Sequence, residues 1–87
     1  MFAGRVGERP VLMDIEKDGG IILAYMDSHT RYARYLSGDR DGKNIRTENI
    51  RNGDPVIVGV LGNNIFTGIW TRGREKKAVA VRRVLNN

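Results

Sequence analysis

The sequence predicts a mainly β chain: a small antiparallel β-barrel or curled sheet of the SH3-like or OB-like type, with five to six strands and one short helix. Three observations carry this. Strand-like apolar runs recur at a spacing of roughly ten residues, tight Gly, Asn and Asp turns separate them, and Gly59 and Gly68 stand inside two of the runs, where a small barrel needs strong bends to close. Closure would also remove exposed strand edges. At 87 residues the chain is near the size floor for independent folding, so 1–87 is one domain.

Taken in order, residues 11–16 are an apolar run that ends in a partial apolar and charged alternation, 17–20 (Lys-Asp-Gly-Gly) are turn chemistry, and 21–26 resume an apolar run, which reads as a hairpin. Asp27 or Ser28 then caps a short helix over 30–37, with Tyr32, Tyr35 and Leu36 on one face and Gly38 closing it. Residues 38–43 read as a charged loop, and Asn44-Ile45-Arg46 as a short extended segment entering a turn. Residues 52–55 turn the chain into 56–61, the strongest strand signal, with Val58 placed on the core face. Gly62-Asn63-Asn64 supply positive φ for a tight turn into 65–71. Residues 72–77 form a basic connection to a last strand over 78–85, where alternation puts Val79 and Val81 inward and Arg82 outward.

Composition removes several classes of function. There is no cysteine for a disulfide or thiolate metal site, and His29 is the single histidine. Ser28 and His29 are adjacent and so point apart, Asp39-Arg40-Asp41-Gly42 begins like a calcium loop but has Ile50 where a bidentate Glu is required, and no phosphate loop is present. Asp14, Glu16 and Asp18 read as solvated charges on an edge strand. The expectation is a non-enzyme without a cofactor. The longest nearly apolar stretch, 55–62, falls far short of the roughly twenty residues of a spanning helix, and no signal-peptide pattern opens the chain, so no membrane partner is expected and the cytoplasm is the default compartment.

Charge is more informative. Residues 1–43 carry seven basic and seven acidic side chains, whereas 44–87 carry eight basic and three acidic, so the whole net charge of +5 lies in the second half. Eleven of the fifteen basic residues are Arg, the side chain suited to bidentate phosphate contact. The candidate site is Trp70, Arg72, Arg74, Lys76 and Lys77, joined by Arg82 and Arg83 from the following strand, with Arg31 and Arg34 of the expected helix as a second set. Cations would neutralise phosphates and an exposed Trp70 would stack on a base, which makes single-stranded RNA or DNA the expected partner. The bland alternative is a solvated hairpin tip with Trp70 as a core anchor. A different functional class, a protein-interaction or inhibitor module such as a small phage-type or regulatory factor, fits a basic chain whose partner is acidic. Either would be a monomer or small homo-oligomer.

Gly53-Asp54-Pro55-Val56-Ile57-Val58-Gly59-Val60-Leu61-Gly62, Val79-Ala80-Val81-Arg82-Arg83 and the turn Arg5-Val6-Gly7-Glu8 resemble strand-entry, last-strand and first-turn segments of the carbon storage regulator family of RNA-binding proteins. The resemblance implies a translational regulator built as a dimer of interlocked strands, binding single-stranded RNA through its first and last strands and using Arg83. The family's Ala-Pro turn is replaced here by residues 72–77.

Overall fold

Period-two alternation runs through the chain and fixes an inside and an outside for each strand. The structure, a computed structural model, describes residues 1–26 and 33–84. These form eight strands: β1 (Phe2–Val6), β2 (Arg9–Ile15), β3 (Gly20–Met26), β4 (Ala33–Asp41), β5 (Asn44–Asn49), β6 (Val56–Leu61), β7 (Ile65–Arg72) and β8 (Glu75–Arg83). Each pairs antiparallel with the next, and β8 pairs with β1 to close an up-and-down barrel. The barrel class agrees with expectation; the strand count is higher and all regular structure among the described residues is β.

The predicted helix is the main correction. Residues 33–37 belong to β4, whose Leu36 lies opposite Leu23 on one side and Asn49 on the other. Arg34 and Leu36 on one face with Tyr35 on the other also satisfy a period of two, and as a strand the segment pairs with both β3 and β5, whose facing backbone groups a helix would leave unpaired. Residues 27–32, which include the expected cap, His29, Arg31 and Tyr32, lie outside the described residues. Gly38 is therefore no helix terminator: it faces inward where β5 passes so close that a Cβ would collide with the Arg46 carbonyl. The expected loop 38–43 shrinks to Gly42-Lys43, and β5 extends through Asn49.

Phe2, Val6, Val11, Met13, Ile21, Leu23, Tyr25, Leu36, Ile45, Ile57, Phe66, Trp70, Val79 and Val81 fill the interior, which in an eight-stranded barrel is just wide enough for side chains. Thr47 is the buried polar residue among them, and its hydroxyl donates to the Ile57 carbonyl at 3.3 Å. Gly59 and Gly68 are directly paired and face inward beneath the Phe66 ring; a Cβ would stand 2.7 Å and 3.0 Å from Phe66 Cζ respectively. Their absent side chains are the space the ring occupies.

On β6 the core face is Ile57, and Val58 points outward with 50% of its surface exposed, the reverse of the expected phase. β-Branched residues on both faces of this strand leave its phase undetermined locally; pairing of Ile57 with Trp70 decides it. Ile57→Ala should therefore cost about 2–5 kcal/mol, and Val58→Ala within roughly 0.5 kcal/mol, in urea denaturation followed by circular dichroism. Equal losses would mean the two faces are not distinguished.

Candidate nucleic-acid interface

Strict up-and-down order places alternate hairpins at the same end of the barrel. The β1–β2, β5–β6 and β7–β8 turns share one end; the β2–β3, β4–β5 and β6–β7 turns share the other, where the Val84 N–H also donates to the Met1 carbonyl at 2.9 Å. The basic connection expected over 72–77 is a tight hairpin at the first end. Only Gly73 and Arg74 form the turn, with Gly73 at a φ of 59°, and Lys76 and Lys77 already lie on β8.

Strand parity sorts this hairpin's side chains. Trp70 pairs with Lys77, Thr71 with Lys76 and Arg72 with Glu75, so Trp70, Arg72, Glu75 and Lys77 share the lumen side and Lys76 points outward. Trp70 is a core residue, 5% exposed, and its indole N–H donates to the Tyr25 hydroxyl at 3.2 Å. It is not an exposed stacking platform. Lys77 is half-buried above it, its ammonium 5.0 Å from the ring centroid and 3.3 Å from the Glu75 carboxylate. A partly desolvated cation over an indole is attracted by the ring quadrupole, so Lys77 covers this mouth of the barrel as much as it presents charge.

Arg82 and Arg83 do not join the hairpin. Arg82 stands six positions beyond Lys76 along β8, about 20 Å at the usual rise per residue, and lies opposite Ile65 and Ala3 near the other end. Arg83 ends the inward row of β8 there, with its guanidinium 5.5 Å from the Phe2 ring centroid. The two ends of one strand thus carry a cation over an aromatic plug at each mouth.

Arg34 is brought to the hairpin's end: it lies on β4 opposite Tyr25, partly buried. Two cations that sequence reasoning passed over stand there too. Arg51 is exposed in the β5–β6 turn, and Arg9 opens β2 with its guanidinium donating to the Met26 carbonyl at 3.4 Å. The signal for Arg9 is the Gly7-Glu8 turn, which makes Arg9 a strand entry beside the hairpin once residues 2–6 form a strand; Gly7 packs beside Lys77, where a Cβ would be 3.2 Å from Lys77 Cδ. Charge is therefore divided by barrel end and not by sequence half. Among the described residues the first end holds Arg9, Arg34, Arg51, Arg72, Arg74, Lys76 and Lys77 against Glu8, Glu48, Asp54 and Glu75, while at the far end Lys17, Arg40, Lys43, Arg82 and Arg83 face Asp14, Glu16, Asp18, Asp39 and Asp41; Arg5 and Arg46 point outward from the wall between, Arg46 opposite Asp39.

Those acidic residues are not on an edge strand, because the closed barrel has none. Asp14 faces outward from β2, and Asp18 accepts the Gly20 N–H at 2.9 Å within the β2–β3 turn. No helix among the described residues is long and apolar enough to cross a membrane.

The class of protein this defines is a closed eight-stranded up-and-down barrel with one basic end. Comparison of the chain with models of known families, with curated proteins and with solved structures gives no match. The likeness to the carbon storage regulators does not extend to architecture: β1 pairs with β8 of its own chain from Phe2↔Arg83 to Val6↔Val79, so the edges that interlocked strands would exchange are already occupied.

Proposed function

We propose that this barrel binds single-stranded nucleic acid, without doing chemistry on it, by holding phosphates across its basic end. The observation that carries the reading is the concentration of cations there from several turns, with Arg72, Arg74 and Lys76 exposed on one hairpin and Arg51 exposed on the adjoining turn. Arg forks suit phosphate oxygens, and neutralising phosphates releases their condensed counterions. With Trp70 committed to the core, phosphate contact and not base stacking supplies the affinity, so sequence preference is expected to be weak.

For three to five phosphates neutralised, log affinity for an unstructured oligonucleotide should fall with log salt at a slope of roughly −2 to −4. Fluorescence anisotropy across a salt series checks this, and an absence of binding at low salt would remove the reading. A protein-interaction module remains the second reading, favoured by the many apolar side chains exposed on the barrel's outer wall, including Val58, Val60 and Ile69.

A further inference from the structure

Strand β6 is apolar on both faces: Ile57 lies inward, and Val56, Val58 and Val60 lie outward. Runs of this kind belong to strands covered on both sides, and the barrel covers one. Through the hydrogen-bonded pairs the outer face continues as a row Val58–Ile69–Ala78 and a second row Val60–Thr67–Ala80. Neither three-strand row contains a charge, and Val58 and Ile69 expose 50% and 52% of their surface. The flanks of the wall are charged asymmetrically. In the row nearest the basic end, Glu48 pairs with Val56, Val56 with Thr71 and Thr71 with Lys76, which sets an acid and a base at one height on opposite sides.

We infer that this wall is a self-association surface, on which a second copy of the chain packs about a two-fold axis running along the strands. Such an axis exchanges the two flanks at constant height. It turns Glu48 of each copy toward Lys76 of the other and sets Arg46, the neighbour of Val58, over the small Ala78. A two-fold axis across the strands would exchange heights instead and bring Lys76 toward Arg82, like charge toward like. Isologous pairing of one patch is the commonest form of homo-oligomer, and aligned sheets pack about 10 Å apart with their strands within about 30°. The axis along the strands also leaves both basic ends facing the same way. That bivalent surface rests on the nucleic-acid reading; the dimer itself does not.

Sedimentation equilibrium of the full chain without nucleic acid, from about 10 to several hundred micromolar, tests it independently of that reading. The expected result is a monomer–dimer equilibrium that persists at high salt, where mutual repulsion of two +5 chains is screened and nucleic-acid binding is lost. Ile69→Lys should be monomeric with an unchanged circular dichroism spectrum, and Val58→Lys serves if that variant fails to fold. Lys76→Glu should weaken dimerisation about two- to fivefold, and adding Glu48→Lys should restore it. A parent chain monomeric throughout, a folded Ile69→Lys variant that dimerises like the parent, open-ended assembly, or a charge swap that does not restore association would each overturn the proposal.

Discussion

Trp70→Ala should remove about 3–5 kcal/mol of stability, the largest single-residue loss expected in this barrel. Three terms combine: the apolar area of a side chain only 5% exposed, the hydrogen bond to the Tyr25 hydroxyl, and the Lys77 ammonium over the ring. A domain of this size is held together by about 4–13 kcal/mol in total, so the variant will lie close to its unfolding threshold. Trp70→Phe keeps most of the buried area and should cost about 1–2 kcal/mol, chiefly the lost indole donor. Because Trp70 is the chain's single Trp, its fluorescence reports this mouth of the barrel directly. Urea melts of the parent and both variants check the series; a Trp70→Ala melt within 1 kcal/mol of the parent, on the order of the smallest effects usually measured for core truncation, would mean the ring is not the anchor the packing makes it.

Replacing Arg72, Arg74 and Lys76 together with Ser should weaken oligonucleotide binding about 100-fold at 0.1 M salt, and hardly at all near 1 M. The estimate follows from three lost phosphate contacts at the single-strand coefficient. All three side chains are exposed, so the melt of this variant should lie within about 1 kcal/mol of the parent. Lys77 is left in place because it is half-buried over Trp70, and removing it would mix a packing loss with a charge loss. Anisotropy titrations at several salt concentrations separate the outcomes. Unchanged binding at low salt would move the site off the hairpin, and a uniform loss at every salt concentration would mean the missing contacts are not electrostatic.

Several elements were legible locally. Residues 11–26 declare a hairpin through apolar runs either side of Lys-Asp-Gly-Gly, and β2 and β3 are joined there. Asn64 adopts a φ of 67° in the turn where Asn and Gly called for a positive value. Val79 and Val81 face inward as alternation requires, and the glycines inside strands do mark a barrel. β1 was less visible, because Ala3, Gly4 and Arg5 between its two buried ends have little strand preference; its pairing with β2 and β8 is what makes it a strand. β4 runs against expectation because the spacing of Tyr32 and Tyr35 suggests a helical face, whereas Tyr35 stands on the outside of a strand with 53% of its surface exposed.

Of the candidate site, the chain alone determined the cluster of cations over 72–77 between two apolar runs, because a charged stretch between strand-like segments is a local signal, whereas the structure set its turn at Gly73 and Arg74. Local signals also determined the β class and the inward valines of the last strand. Only the tertiary structure decided which end of the barrel each charge occupies: it separated Arg82 and Arg83 from the hairpin and brought in Arg9 and Arg51 from turns distant in sequence. It also decided the phase of β6 and the burial of Trp70. The reason is that alternation states that a strand has two faces, whereas which face is buried, and which turn stands beside which, depends on lateral pairing that closes only when all eight strands are in register.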